Sequence, residues 1–550
     1  MTLCTPRSLA ITTISPIGAF NEPEKYLMVV GIHASVGTVR SPRMHPNYPR
    51  HIESTQFSIT QREVKLVYAA MMAATALSAL DGTIVNTALT TIIGDLGGIK
   101  SYTWVVTAYL LTSTAATPLF GKFSDIYGRK TFTQVAIVIF LVGSVLCGAA
   151  PNMAVLVIAR AVQGIGGGGI MAMSFVVIAD IVPPRERGRY VGAFTSIFAV
   201  ASVAGPLLGG LIVDNVSWRW IFYVNIPLGI IAIWMTQRNL RLPVIRRDTS
   251  IDVVGAVLLV GGISTLILTI SWASDRFGWS GTGTLVMIAL TVALLGGFFA
   301  WEPRVENPMI PLHLFRNHTV QVMVPMTTFI GLCMTLVSTF MPLFLQAVTG
   351  VSPTNSGLLI APMMVGITYA SFTVGRLVTK HGHYKRYPIM GTVAGVIGLG
   401  LVSLISNSGT GITLAMAGML LMGLATGSSM PTSTTAIQNS VDIQDLGTAS
   451  SLAQLCRSLG TVVSLAAFGE VLNAQLIGHI DAKYLRAPRY IHKLPEPARS
   501  QAIDVVSHGI TTVFRWALPL MIAAAVLSWM VRELPLRQHA AFEKPEPAAH

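Results

Sequence analysis

Charge is scarce in this chain of 550 residues, where Asp, Glu, Lys and Arg together make up 11% against roughly 25% in soluble globular domains. That deficit argues against a water-soluble enzyme. Cysteine is scarce too: Cys4, Cys147, Cys333 and Cys456 lie far apart with no CxxC spacing, which excludes a disulfide framework and a cysteine metal cluster. No nucleophile stands with a base, and no His and carboxylate cluster forms a metal site, so a membrane-embedded enzyme lacks its chemistry. What is abundant is apolar: 52% of the residues are hydrophobic. The net charge of +13 would suggest nucleic acid in a soluble protein. Here the bases sit in short loops between apolar runs and read as membrane topology.

Residues 1–62 mix Pro, Ser, Thr, His and Arg without helical period and read as a disordered cytoplasmic segment. Met28 and Met44 within it leave room for a later translation start. From Lys65 onward the apolar runs follow one another, at 65–89, 103–120, 132–150, 154–178, 190–213 and 219–236, then 252–272 and 283–301, then 319–346, 357–378, 388–406, 411–436, 447–472 and 509–531. Each is long enough to cross a bilayer, which takes about 20 residues. The expectation is an all-α polytopic membrane protein with about fourteen spans, two six-helix halves (63–237 and 304–532), an inserted helix pair with its linker (238–303), and a tail (533–550). An even count puts both termini on one side. The loops on that side carry most of the bases, among them Lys122, Arg129, Lys130, Arg185, Arg187, Arg189, Arg316, Lys380 and Arg386, whereas the opposite short loops carry Lys100 and Arg276 once Arg219, at a membrane boundary, and the long loop 473–508 are set aside. Both termini are therefore expected in the cytoplasm. A faint repeat supports the two halves: Gly121-Lys122-Phe123 with Gly128 recurs 254 residues later as Gly375-Arg376-Leu377 with Gly382.

Several strings carry chemistry. Gly121-Lys122-Phe123-Ser124-Asp125-Ile126-Tyr127-Gly128-Arg129-Lys130 places two glycines, one acid and three bases in one short loop. Asp125 and Arg129 stand four apart and pair if that stretch is helical, and an acid near a helix amino end gains from the dipole. Topology alone accounts for Lys122 and Lys130 more readily than for Asp125. Asp81, with Asn86 five residues on, lies in the outward third of the first run; an acid inside a span costs roughly 2.5–3.5 kcal/mol on insertion scales and is a functional candidate by default. Its competing reading is a helix-end acid wetted at the interface. Arg160 and Gln163 lie in the fourth run at a similar depth, counted at about 1.5 Å per residue, although an arginine there could also snorkel outward. A guanidinium nearby would favour the charged form of Asp81 and burial the neutral one, so the pair could act as a switch.

Gly164-Ile165-Gly166-Gly167-Gly168-Gly169 formally fits a dinucleotide fingerprint, but no strand precedes it. Gly164 with Gly168, and Gly205 with Gly209 in Gly205-Pro206-Leu207-Leu208-Gly209-Gly210, have the spacing that lets helices approach closely, and Pro206 permits a kink. In the last third, Gln438, Gln454 and Arg457 are polar residues in apolar runs; an unpaired arginine there is costly, so Arg457 is expected to face a cavity and to engage Gln438, Gln454 or a substrate acceptor. His381 and His383 in a basic loop read as solvated charge and not as a metal site.

These strings resemble the major facilitator superfamily and its fourteen-helix drug:proton antiporter branch over residues 64–532. The 121–130 string is similar to the loop signature between that family's second and third helices, and 80–89 to the branch's first-helix signature, with Thr90 where the branch has proline. The 156–164 string resembles the fourth-helix signature, and 205–210 the fifth-helix signature of exporting branches. Trp218-Arg219-Trp220-Ile221-Phe222-Tyr223-Val224-Asn225-Ile226-Pro227, Met430-Pro431-Thr432 through Gln438-Asn439, and Arg457-Ser458-Leu459-Gly460 are similar to later strings of the branch. The resemblance implies a major-facilitator fold and proton-coupled export of lipophilic, often cationic drugs or toxic compounds by alternating access. The alternatives are export of an endogenous metabolite, lipid or siderophore, or a non-transporting receptor. It further implies proton coupling at Asp81 and Arg160, a substrate cavity touched by Asn86, Gln163, Gln438, Gln454 and Arg457, and a cytoplasmic gate of Gly121, Asp125, Gly128, Arg129 and Lys130. Gly205, Pro206, Gly209 and Gly210 would set direction. No cofactor and no metal are implied, the proton gradient supplying energy. The expected partners are the lipid bilayer, protons and a small molecule, with no nucleic acid and a monomer as the plausible state, in the plasma membrane, or the inner membrane of a bacterium.

Overall fold

The computed structural model describes residues 60–96, 102–240, 252–273, 277–351, 359–405, 411–442, 445–476, 491–492 and 494–536. The expected head up to residue 59, most of the 238–252 linker and the end of the tail lie outside them. The described chain is helical, with no strand among its residues. In order the helices are α1 (Gln61–Leu96), α2 (Tyr102–Tyr127), α3 (Arg129–Gly148), α4 (Met153–Ile181), α5 (Pro184–Asn215), α6 (Trp220–Tyr223), α7 (Asn225–Asn239), α8 (Val253–Trp272), α9 (Thr282–Trp301), α10 (His318–Thr349), α11 (Ala361–His381), α12 (Arg386–Ser403), α13 (Gly411–Ser440), α14 (Leu446–Leu476) and α15 (Ala498–Met530).

Twelve helical stretches among the described residues are long and apolar enough to cross a membrane, with α6 and α7 together forming one of them. The two long helices that fall short of the expected fourteen are α2 and α11, of 26 and 21 residues. Their length suffices, but polar side chains dilute their hydropathy: Thr112, Ser113, Thr114, Thr117, Lys122, Ser124 and Asp125 in α2, and Ser371, Thr373, Arg376, Thr379 and Lys380 in α11. These same two helices cross between the halves, α2 against α14 and α11 against α5. The expected unbroken run 219–236 is interrupted at Val224. Pro227 has no N–H to bond the Tyr223 carbonyl, so the helical ladder lapses at that turn.

Helix ends follow their local chemistry. Asn152 accepts from the Val155 amide at 3.0 Å and starts α4, Asp252 accepts from Gly255 at 2.8 Å and starts α8, and Asn317 accepts from Thr319 at 2.9 Å and starts α10, each supplying an acceptor that the first turn lacks. The repeated glycines have a backbone reason: Gly128 between α2 and α3 has φ 99° and Gly382 after α11 has φ 75°, a region that costs a side chain energy and glycine nothing.

Within the first half α4 packs against both α2 and α3, and α1 against α5; within the second, α13 packs against α11 and α12, and α10 against α14 and α15. The glycines of α4 make this possible. A Cβ on Gly168 would lie 2.1 Å from the Ser113 carbonyl and one on Gly164 2.5 Å from the Tyr109 carbonyl, both in α2. The Gly164 and Gly168 pair is therefore a close-packing device. Gly205 plays the same part toward α1, its Cβ position lying 2.0 Å from Thr83 Oγ1, whereas nothing stands within 4 Å of that position on Gly210. Gly209 is buried, and the side chain of Pro206 lies outside the described residues.

Candidate functional site

Two apolar clusters of the first half, one around Ile84, Leu156 and Phe222, the other around Leu77, Ala116 and Phe140, enclose a polar knot. At its centre is Asp81 of α1, with no solvent exposure. Arg160 Nη1 donates to Asp81 Oδ2 at 2.6 Å, Gln163 Nε2 to Oδ1 at 2.8 Å, and Asn225 Nδ2 to Oδ1 at 3.1 Å. Three donors from α4 and α7 thus saturate one carboxylate. Ser144 of α3 closes a second tier, accepting from Gln163 at 2.8 Å and Asn225 at 2.9 Å. The guanidinium is held from its other sides: it donates to Gln163 Oε1 at 2.7 Å and through Nε to the Val105 carbonyl at 3.2 Å, and lies 4.3 Å over the Tyr109 ring. A buried ion pair survives only when its remaining donors and acceptors are met in this way. The reading of Arg160 as a snorkelling side chain and of Asp81 as a wetted helix end are both corrected by this burial.

Gln163 is corrected too. Expected in the substrate cavity, it is fully buried and spends its amide on Asp81, Ser144 and Arg160, so it positions the carboxylate. Tyr109, Ser144 and Asn225 escape a reading of motifs one at a time. Asn225 stands within the 218–227 string, but nothing in linear spacing tells that its amide turns to Asp81.

At the basic-loop end the second group assembles. Asp125 and Arg129 pair, although α2 stops at Tyr127 and α3 starts at Arg129; the turn at Gly128 lets them meet across a helix break and not along one helix. Arg129 also donates from Nε to Asp180 Oδ2 at 2.7 Å and from Nη1 to Ser124 Oγ at 2.6 Å. Asp180, at the last turn of α4, carries no signal in the sequence that ties it to this group. The other oxygen of Asp125 is buried without a hydrogen-bond partner among the described residues. The carboxylate faces the first turn of α14, where a Cβ on Gly447 would lie 2.7 Å from Oδ1, so it meets the amino end of a helix from the other half, where the dipole favours negative charge. Asp125 lies beyond the apolar run of α2; burial pushes its carboxyl up to about 6, Arg129 pulls it down, and Asp180 adds to the rise.

Around this point the halves touch. A Cβ on Gly121 would lie 2.5 Å from Ser451 Oγ, and one on Gly375 2.4 Å from the Gly188 carbonyl. The repeated glycines therefore occupy equivalent cross-half contacts, α2 on α14 and α11 on α5. Arg185 Nε donates to the Thr379 carbonyl at 3.2 Å and Gln438 Nε2 to the Phe175 carbonyl at 3.4 Å. Lys130 does not join them: it donates to the Gln237 carbonyl at 2.8 Å, within its own half.

The polar residues of the second half are placed less uniformly. Gln438 is buried, donates to Ser450 at 2.9 Å and accepts from Arg187 Nη1 at 3.5 Å, so it belongs with the cross-half contacts and does not meet Arg457. Arg457 in α14 is buried, donates to Gln454, and lies 5.8 Å from the Phe175 ring of α4. No acid pairs with it among the described residues. The side chain of Asn86 lies outside the described residues. Among those residues no group of three or more His, Cys, Asp or Glu could hold a metal.

Comparison with known proteins agrees with this architecture. Residues 71–465 match the family model described as Major Facilitator Superfamily. The efflux pump FUS6 of Gibberella moniliformis is 35% identical over 499 residues, covering 86% of this chain and 88% of that one. The multidrug transporter protein MdtP of Bacillus subtilis is 36% identical over 445 residues, covering 81% of each. Among solved structures, the human organic anion transporter MFSD10 superposes with a TM-score of 0.57 at 14% identity, over 83% of this chain and 99% of that one. With a match over most of its helices, and relatives that are transporters and not enzymes, this multi-pass membrane chain belongs to the major facilitator superfamily.

Proposed function

We propose that the protein is a proton-coupled antiporter that exports lipophilic compounds, often cationic, across the plasma membrane, with both termini in the cytoplasm. The observation that carries this reading is the carboxylate of Asp81, sealed in the first half and bound by Arg160, Gln163 and Asn225. A proton arriving there replaces the ion pair and frees the guanidinium to its neutral partners, the Val105 carbonyl, Gln163 and the Tyr109 ring. Protonation is thereby tied to the coupling of α1 to α4. The names of the relatives, efflux pump and multidrug transporter, supply direction and breadth. Contact between the halves at Asp125, Gly121 and Gly375 supports a state closed at the basic-loop end, in which the exchange follows alternating access.

Exchange of one proton for one monovalent cation moves no net charge and draws about 1.4 kcal/mol per pH unit. A neutral substrate would also feel the membrane potential, about 2.3 kcal/mol per 100 mV. The test is efflux of a fluorescent lipophilic cation from proteoliposomes under an imposed pH gradient. Gradient-driven efflux by the parent and its loss in Asp81→Asn, with the variant still folded, is the expected result; undiminished efflux in Asp81→Asn overturns the role of that carboxylate.

A second reading rests on Arg457. A buried guanidinium met by an amide and an aromatic ring is a ready partner for an acceptor group, which suits an endogenous metabolite carrying an acid or carbonyl. Competition of such compounds with the fluorescent cation, lost in Arg457→Gln, separates the two.

A further inference from the structure

The inserted helix pair holds two acids that the transport reading does not use. Asp252 precedes α8 and Glu302 follows α9, at the basic-loop end, and they are 7% and 1% exposed. Each spends one oxygen on the fold. Asp252 Oδ1 accepts from the Gly255 amide at 2.8 Å and from Trp301 Nε1 at 3.0 Å, and Glu302 Oε1 accepts from the Ile310 amide at 2.5 Å. The second oxygens, Asp252 Oδ2 and Glu302 Oε2, are buried with no hydrogen-bond partner among the described residues. They turn to the same small space beside Gly255: the position a Cβ would take there is 2.1 Å from Asp252 Oδ2 and 3.2 Å from Glu302 Oε2.

Two ionised carboxylates facing each other in a buried space repel, and the usual resolution is that one of them keeps its proton. Two free oxygens converging where not even a methyl group fits do not make a metal site, since even small hard cations take six or more oxygen ligands. We propose that Asp252 and Glu302 bind one proton between them, the carboxyl of one donating to the carboxylate of the other, and that this shared proton clamps the basic-loop ends of α8 and α9 to the turn at Ile310. The site is separate from Asp81 and faces the other end of the molecule. Glu302 lines a cavity of about 600 Å³ into which Lys122 and Asp125 of α2, Glu306, His313 and Arg316 of the connector to α10, and Asp445 before α14 also face. These are the charged and titratable groups that share the cavity with Glu302.

Infrared difference spectroscopy of the full chain in lipid nanodiscs tests this directly. At pH 7.5 the parent should show a protonated-carboxyl C=O band, and both Glu302→Gln and Asp252→Asn should lack it, because either amide supplies the hydrogen that the remaining, now ionised, acid accepts. Both amides keep the acceptor that the Ile310, Gly255 and Trp301 N–H groups require, so both variants should fold. Loss of the band in only one variant assigns an unshared proton and overturns the proposal. A parent without any such band at pH 7.5 overturns it whatever the variants do. As a further readout, the unfolding midpoint of the parent should fall more steeply than that of Glu302→Gln as the pH rises from 6 to 9: the folded pair holds a proton that unfolded carboxylates, titrating near pH 4, have already released. Parallel curves overturn it.

Discussion

The two halves repeat one packing plan and differ in how they hold Arg160 and Arg457. In the first, Arg160 is matched by Asp81, and Arg129 by both Asp125 and Asp180. In the second, Thr379 stands four residues after Gly375, where Asp125 stands four after Gly121, and Arg457 leans on an amide and a ring. A charge already paired in the resting fold holds structure, and must be unpaired to work. One held by neutral groups strands no buried acid when it is removed. Under the proposed function this suits the first half to coupling and latching and leaves Arg457 of the second for recognition.

The largest expected effect tests the paired side. Arg160→Leu leaves Asp81 buried without its cation, and losing one partner of a buried pair costs about 3–5 kcal/mol. Thermal unfolding in nanodiscs should show it as a clear drop in the midpoint. An unchanged midpoint would mean that Gln163 and Asn225 alone satisfy the carboxylate.

Next come the two cross-half contacts. Gly375→Ala would press a methyl against the Gly188 carbonyl, 2.4 Å away, whereas Gly447→Ala meets the tip of the Asp125 side chain at 2.7 Å. Backbone cannot yield as a carboxylate can, so overpacking of about 1–3 kcal/mol is expected for Gly375→Ala and less for Gly447→Ala. Distances between spin labels at exposed positions 127 and 381 measure closure at this end. Equal widening in both variants would break the distinction between a backbone contact and a charged latch.

What is legible in the sequence divides along the same line. The spans are readable because an uncharged apolar run of bilayer length seldom fits anywhere but a membrane, and Asp81, Arg160 and Asp125 stand out because charge in or beside such a run is costly. That Gly164 and Gly168 serve packing follows from their spacing. The partners are not readable: Asn225 and Ser144 reach the Asp81 group from α7 and α3, and Asp180 reaches Arg129 from the far end of α4, through contacts across 19 to 144 residues of chain. Gln163 and Gln438 read as cavity residues because an amide in a span signals function; only the packed helices decide whether it faces a cavity or a neighbour. Asp252 and Glu302 give no signal in the sequence because an acid at a helix end is ordinary, and only their convergence on Gly255 makes them otherwise.

A smaller effect depends on pH. Asp125 holds its proton up to about pH 6 when buried against α14, and releases it near the usual carboxylate value of about 3.9 when solvated. Protons therefore bind the closed latch more tightly than the open one. Closure should strengthen as the pH falls from 7 to 5, and the gain should vanish in Asp125→Asn. Spin-label distances at positions 127 and 381, followed across that range, check the sign; closure that weakens on acidification would mean that attraction to Arg129 and the helix amino end outweighs burial.

The smallest change in stability is expected where the change in transport is large. Arg457→Leu removes a buried cation that has no acid to strand, so the lost hydrogen bond to Gln454 is offset by the desolvation that the guanidinium no longer suffers, and the unfolding free energy should stay within about 1 kcal/mol of the parent. The same substitution at Arg160 should cost several times more. If both arginines prove equally important for folding, Arg457 has a structural role in the resting protein and the second half is not the recognition side. If Arg457→Leu folds like the parent but no longer discriminates among substrates, the buried guanidinium without an acid partner is what the second half offers to a ligand.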